Sequence, residues 1–481
     1  MIGDFNNRAG GHGWRGVLPL AALALLLAGC ATPQAVPPQS SLAIPDEWSQ
    51  TEPAAATTDL TAYWVLLNDP LITDLVEQAI AGNRDLAQAA ARLDQSRASL
   101  VQARSALLPV LSASGRSSRD LGDNAPDQFA FGLGLDASWE ADLFGQISGN
   151  IGAAEAELLA AGYSLADLQR LIAGQVALTT INARALAQQL AIARSTLAFQ
   201  EDNLQIARWR NQAGLVSALD VEQARAQRAS TAATIPALES SLAATANALS
   251  TLVGEAPGRV LAQLDPANPA PVPQPAALTG WEAPAEVLRR RPDVRGAEAR
   301  LAAATARIGV ARAQLFPLLR LSGNIGTNAL GIGNLFDVVT SGVVASVSQL
   351  IFDGGRTSAQ VDSARAAARG SLAAWEQAIL QALEEVESAA VDQRSAAERV
   401  AINAEAVDAA SNSAILARSQ YEAGLTDFRN LLTAENQLLS ARNQQIAAEA
   451  DRASAFVRLT QALGGGWDPR SSTFTSLPAQ K

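Results

Sequence analysis

The feature that most constrains this chain is an internal duplication. Asp85 to Gly115 reappears as Asp293 to Gly323 at a constant offset of 208, with 13 of 31 positions identical and no gap. Alanine abundance does not explain the match, because Arg92, Leu93, Arg104, Leu107, Pro109 and Gly115 return as Arg300, Leu301, Arg312, Leu315, Pro317 and Gly323. At an offset of 210, Ala213-Gly214-Leu215 returns as Ala423-Gly424-Leu425, and Gly254 as Gly464. A long fixed offset of this kind marks tandem copies of one structural unit. Each copy reads as helix, Pro, two alternating segments, a very long helix, a Gly turn and a further helix. The copies span 61–254 and 284–464, with a Pro-rich linker over 255–283 and a tail over 465–481.

The helices follow from what is missing as much as from what is present. No proline falls between Pro126 and Pro236, or between Pro317 and Pro469. Apolar residues make up 48 % of the chain but aromatics only 5 %, so alanine dominates, which favours long, closely packed helices over a thick core. Ile172, Val176, Thr179, Ala183, Leu186, Leu190, Ala193 and Leu197 follow alternating four- and three-residue steps, the seam of a coiled coil. A helix from Gln146 to Gln212 would run roughly 100 Å at about 1.5 Å per residue, which implies a shaft. Pro236 predicts a kink or break in the returning helix.

The alternating segments predict strands. Phe129, Phe131, Leu133, Leu135, Ala137 and Trp139 alternate with small or polar residues, so one face is greasy and the other polar. The expected partner covers Val110 to Arg119. In the second copy Leu319, Leu321 and Ile325 form one such strand, and Val339, Val343, Ala345 and Val347 the other. Ten residues or so is the length that a tilted transmembrane strand needs.

The N-terminus reads as an address. Arg8 and Arg15 precede an apolar run from Val17 to Ala28, about 18 Å as a helix and too short for a bilayer core of about 30 Å. The run ends Leu27-Ala28-Gly29-Cys30, which resembles a bacterial lipobox. The expectation is a signal peptide over 1–29, a lipid on Cys30, and an extended tether over 30–60 rich in Pro, Ala, Ser and Thr. Ala31 resembles the residue of lipoproteins sorted to the outer membrane.

The inventory excludes several functions. His12 is the only histidine and Cys30 the only cysteine, so no zinc site, disulfide or Cys–His nucleophile pair can be assembled. A catalytic role is not expected. The net charge of −11 argues against nucleic acid, which needs a basic footprint. No segment after Cys30 offers 18 consecutive apolar residues, so any membrane crossing must be β, and a β crossing must close. Four strands are fewer than the roughly eight of the smallest barrels, so the barrel would be shared between copies.

The succession Arg290-Arg291-Pro292-Asp293-Val294-Arg295, Ala297-Glu298-Ala299-Arg300-Leu301, Ile308-Gly309-Val310-Ala311-Arg312 and Phe316-Pro317 resembles the signature of TolC-type outer-membrane factors. Asp69-Pro70-Leu71 with Asn83-Arg84-Asp85-Leu86 resembles the start of the family's first unit, and Tyr421-Glu422-Ala423-Gly424 its second helical turn. The likeness covers Ala62 to Gly464 and falls in the lipoprotein branch that serves resistance–nodulation–division (RND) efflux pumps. It implies a mainly α fold with β, a homotrimer, a shared twelve-stranded barrel and a tunnel through the periplasm. It also implies a periplasmic adaptor and an inner-membrane pump as partners, with no cofactor beyond the lipid on Cys30. Gly214, Leu215, Gly424 and Leu425 would meet the adaptor at the tip. Family channels carry Asp there, and Asp220 and Asp427 are the candidate gate residues, since Asn430 and Thr433 stand where Asp is common. A type I protein secretion channel shares this architecture and is the alternative. A coiled-coil tether or a periplasmic adaptor fits the duplicated strands less well.

Overall fold

A computed structural model describes residues 36–49, 59–119, 129–275, 278 and 282–468. The signal peptide, Cys30 and most of the tail lie outside these residues. The first copy contains α1 (Pro70–Gly82), α2 (Arg84–Ser105), β1 (Val110–Arg119), β2 (Phe129–Ala141), α3 (Gln146–Gln212) and α4 (Ala218–Val253). A short α5 (Arg259–Gln263) and α6 (Pro284–Arg290) follow. The second copy continues with α7 (Pro292–Ala313), β3 (Leu318–Ala329), β4 (Val339–Ser348), α8 (Arg356–Glu422) and α9 (Phe428–Ala462). Both long helices, α3 and α8, have 67 residues. Compactness does not divide the chain at the linker between copies. One unit is Met1–Gln39, Arg97–Glu157 and Arg300–Leu372, and the other is Ser40–Ser96, Leu158–Ala299 and Ala373–Lys481. Each mixes both copies, because corresponding stretches of the two copies pack on each other.

In the first unit the four strands form one antiparallel sheet in chain order, β1-β2-β3-β4. The register puts Leu111 opposite Ala137, Leu133 opposite Thr327, Trp139 opposite Leu321, and Leu319 opposite Val347. Most of the apolar residues of the four strands therefore share one face, while Val110, Leu318 and Val344 stand on the other. Two side chains at matched positions close the helix-to-strand joints: the Trp139 indole donates to the Leu107 carbonyl at 2.8 Å, and the Gln349 amide to the Leu315 carbonyl at 2.9 Å. Asp142 accepts from the Ile147 and Ser148 amides and starts α3, while Asp353 accepts from Gly355 and Thr357 and starts α8.

The second unit holds the main core, where Ile72, Leu75 and Val76 of α1 meet Ile181 and Leu190 of α3, Leu249 of α4 and Leu459 of α9. Of the expected seam, Ile172, Val176, Ala183, Leu190 and Ala193 are buried, but so are Ala173, Ala177, Ile181, Ala185 and Ala187. This stretch of α3 is surrounded rather than paired along one stripe. Asp69 caps α1, accepting from the Leu71 amide at 2.8 Å, and its carboxylate also receives Arg184 of α3 at 3.1 and 3.2 Å. Pro236 does not break α4, which is continuous around it. The lost bond and ring clash cost about 3 kcal/mol in an isolated helix. Ile235 and Leu238, packed against the core on either side, hold the backbone helical.

Each copy ends its last helix with the same device made from different residues. The Asn83 amide donates to the Leu252 carbonyl at 2.8 Å, and 208 residues later Arg291 donates to the Ala462 carbonyl at 2.8 Å. Gly254 and Gly464 follow at φ 85° and 78°, which glycine adopts without strain. A Cβ at Gly254 would collide with the Gly82 carbonyl, and one at Gly464 would press on Arg291. The Arg291 side chain is 1 % exposed and pairs with Asp293 and Glu385, both at 2.6 Å. Arg290 adds two bonds to the Leu463 carbonyl, at 3.1 and 2.7 Å. The Arg-Arg-Pro-Asp block is thus a clamp on the end of α9.

The expected tether also departs from a free strap. Residues 36–49 contain no helix or strand, yet Ser40 bonds Glu376 at 2.7 Å, and the Ser49 backbone and hydroxyl both bond Glu387. Trp48 is buried, and its indole donates to the Glu282 carbonyl at 2.7 Å. An indole and a carboxylate-paired serine within a Pro-rich stretch are enough to dock it.

Burial alone would raise the Asp293 carboxyl, but the hydrogen bonds and charge of Arg291 outweigh it and hold Asp293 below the usual carboxylate range. A depressed carboxyl stabilises the fold above its unfolded value of about 3.9 and loses that contribution as pH falls through the folded value. Asp293→Asn should therefore lower thermal stability at pH 7, and its deficit against wild type should shrink below about pH 4. A deficit that stays constant from neutral to acid pH would contradict this role.

Candidate functional site

Two places in the fold carry features that a soluble helical protein does not need. The first is the sheet. Its apolar face comprises Leu111, Phe129, Phe131, Leu133, Leu135, Trp139, Leu321, Ile325, Val339, Val343 and Val347, and most of these are exposed. No core of this unit covers them. The opposite face carries Ser112, Ser114, Arg116, Asp136, Glu140, Arg320, Asn324 and Ser346. Strands of 10 to 13 residues, tilted as in membrane barrels, raise an apolar band of about 25 Å. Phe129 and Phe131 stack at one end of the band, with Arg119 over Phe129 at 5.3 Å. Trp139 and the stacked pair Phe144–Phe316, 5.0 Å apart, mark the other end. Aromatic girdles in these places suit the two interfaces of a bilayer. No helix among the described residues is long and apolar enough to cross a membrane. β1 and β4 are the edges of the sheet, and their outer backbone groups have no strand partner among the described residues.

The second place is the pair of helical turns. α3 ends with Leu215 N donating to Arg210 O at 2.8 Å and Gly214 at φ 71°. α8 ends with Leu425 N donating to Gln420 O at 2.8 Å and Gly424 at φ 74°. Both are the glycine-terminated helix ends that satisfy the last carbonyls. Such ends often tuck the following apolar residue inward, but Leu215 and Leu425 are 74 % and 79 % exposed. The candidate carboxylates both serve helix starts, Asp427 exposed and Asp220 half-buried. Asp220 closes a capping box with Ser217, accepting from its backbone amide at 3.0 Å. Asp427 caps α9, accepting from the Asn430 amide at 3.0 Å. Ser217 and Asp427 occupy matched positions, as do Asp220 and Asn430, so the carboxylate has moved by one turn between copies.

Sequence reasoning missed what ties the two turns together. Arg210, in the last turn of α3, donates to the Tyr421 and Glu422 carbonyls at 3.0 and 2.9 Å, and its guanidinium lies 4.6 Å from the Tyr421 ring centre. Tyr421 meets Phe428 edge-on at 5.5 Å, above a small core of Leu204, Ala207, Ala224 and Leu431. Asn203 and Arg418 both reach Glu435, at 3.0 and 2.9 Å, which links the helices of both copies one level back. The available signal was the mismatch itself, since Arg210 corresponds to Gln420 in an otherwise parallel turn.

A girdled, one-sided sheet with open edges, in a chain that also carries two 67-residue helices, is what a subunit of a β-barrel membrane channel needs. Comparison with known proteins gives the family. The profile of the outer membrane efflux protein family matches residues 75–255 and again 283–465, once per copy, and the chain belongs to that family. It is 32 % identical to nodulation protein T of Rhizobium leguminosarum bv. trifolii over 459 residues, 92 % of this chain and 96 % of that protein. It is 31 % identical to the pyoverdine export outer membrane protein OpmQ of Pseudomonas aeruginosa, covering 94 % and 97 %. Among solved structures the outer-membrane channel OprN superposes with a TM-score of 0.81 at 33 % identity, covering 92 % of this chain and all of that one. The protein is an outer-membrane efflux channel.

Hydrogen bonds to charged donors are worth about 1.5–3 kcal/mol, so removing Arg210 should loosen the second turn. Arg210→Ala should speed amide exchange at 420–426 by about tenfold or more, with exchange in the α3–α4 core unchanged. Equal protection in the variant would mean that the turn is held without Arg210.

Proposed function

We propose that three copies of this chain form the exit duct of a tripartite RND-type efflux pump, anchored in the outer membrane by their shared barrel and by a lipid on Cys30. The observation that carries this reading is the sheet with one greasy face and two open edges. In lipid, unpaired strand edges cost several kcal/mol per group, so β1 of one copy must pair with β4 of the next. Two copies would close eight strands, but a barrel of about eight is filled by its own side chains. A duct therefore needs at least three copies, and three give the twelve strands that the family resemblance implies.

In the helical unit, the exposed Leu215 and Leu425 beside Gly214 and Gly424 offer a small apolar knob on each turn. We assign these to the periplasmic adaptor, which would pass solute from the inner-membrane pump. Asp220 and Asp427 would line the closed tip, with Arg210 holding the second turn in register. The channel makes and breaks no covalent bond, and the pump supplies the energy. Relatives named for efflux and export favour small solutes over the alternative of type I protein secretion.

Purified protein should cross-link to a trimer and conduct ions across planar bilayers, and Asp220→Ala with Asp427→Ala should lower its preference for cations. A monomer or dimer as the conducting species would sink the trimeric duct, and unchanged selectivity in both variants would sink the acidic tip. Lipidation has its own check. Wild-type protein should incorporate labelled palmitate in cells and Cys30→Ser should not, whereas label in both would place the lipid elsewhere.

A further inference from the structure

The polar face of the sheet carries four charged side chains among the described residues: Arg116, Asp136, Glu140 and Arg320. Glu140 and Arg320 stand opposite each other across β2 and β3 with 3.8 Å between charged atoms, so this pair is locally neutral. Asp136 is different. Its cross-strand neighbours are Ser112 and Asn324, and among the described residues no cation pairs with it. Arg116 stands opposite Gly132, with Asn328 beyond it, and likewise has no acidic partner there. Arg119 lies on the opposite, apolar face with Phe129 and takes no part.

Asp136 and Arg116 occupy different levels of the same face. Asp136 pairs in register with Ser112, four residues before Arg116, a separation of about 14 Å along the strand. That exceeds the screening length of about 10 Å at 0.1 M salt, so the two act as separate charges. Asp136 is nearer the end where α2, α3, α7 and α8 attach, and Arg116 nearer the loop end. In a closed barrel each becomes a ring, one negative and one positive.

We propose that Asp136 and Arg116 form a two-level charge filter in the barrel lumen that passes ionic current more readily when the helix end is positive than when the loop end is. This rests on the shared-barrel reading above. Cations entering at the helix end meet the negative ring first, and anions entering at the loop end meet the positive ring first. Current in that sense fills the lumen with both carriers, and current in the reverse sense empties it.

The test uses the full-length channel, added to one side of a planar bilayer in KCl. At about 0.1 M salt the screening length of about 10 Å stays below the separation of the two rings, and conductance should be greater when the helix side is positive. At about 1 M salt, where the length is about 3 Å, the asymmetry should vanish. Asp136→Asn and Arg116→Gln should each weaken it at least about twofold, shifting the K⁺/Cl⁻ permeability ratio in opposite directions by about twofold. Asp136→Glu should behave as wild type. Should Asp136→Asn fail to insert, Arg116→Gln alone decides, since losing the positive ring must weaken the asymmetry. Variants that match wild type at low salt while conducting normally at high salt overturn the filter and leave the channel reading intact. A wild-type protein that forms no pore at all overturns both.

Discussion

Everything in this molecule answers to one constraint, that a backbone in lipid must have every amide and carbonyl paired. The inner strands β2 and β3 meet it within the chain, through an antiparallel register of eleven matched residues. β1 and β4 meet it on one side only. A soluble protein would blunt such edges with charge or cover them with a helix. Here the exposed greasy face makes either solution unworkable, because the same strands must lie in hydrocarbon. The sheet is therefore suited to be an arc of a larger barrel.

The duplicated halves show how backbone demand outlasts side-chain identity. The end of α4 is clamped by an asparagine amide and the end of α9 by a buried arginine, yet both reach carbonyls at matched positions. A tryptophan indole and a glutamine amide do one job at the two helix-to-strand joints. Serine with aspartate starts α4, and aspartate alone starts α9. In each case an orphan group at a helix end has to be satisfied, and several side chains can do it. Where the copies differ without compensation, as at Arg210 and Gln420, the difference breaks the twofold likeness and ties one turn to the other.

Much of this was legible from residues alone. Period-2 alternation placed Phe129 to Trp139 in a strand because the greasy face has to be continuous, and β2 extends only to Ala141. The long proline-free windows and their glycine turns matched α3 and α8, since glycine at positive φ is a local requirement. The seam along α3 was read too narrowly, because alanines such as Ala173 and Ala177 give no hydrophobic signal yet bury completely between close helices. Pro236 was read as a kink or break because propensity is local; the helix is not broken there, since packing on both sides of it is not local. The docking of residues 36–49 turned on Trp48 and two serine–glutamate bonds, contacts with partners more than two hundred residues away.

By itself, then, the sequence determined what depends on neighbours in the chain: two copies, their strands and helices, the faces of those strands, the turns, and the need for a barrel larger than one chain. Tertiary structure decided which distant groups satisfy each other. It put Arg291 against α9 and Asp69 against Arg184, laid Arg210 on the second turn, and left Asp136 and Arg116 on one polar face with no opposite charge beside them among the described residues. The physical reason is range. Periodicity and propensity act over a few residues, while a buried charge or an orphan carbonyl is paired by whatever the fold brings within about 3 Å of it.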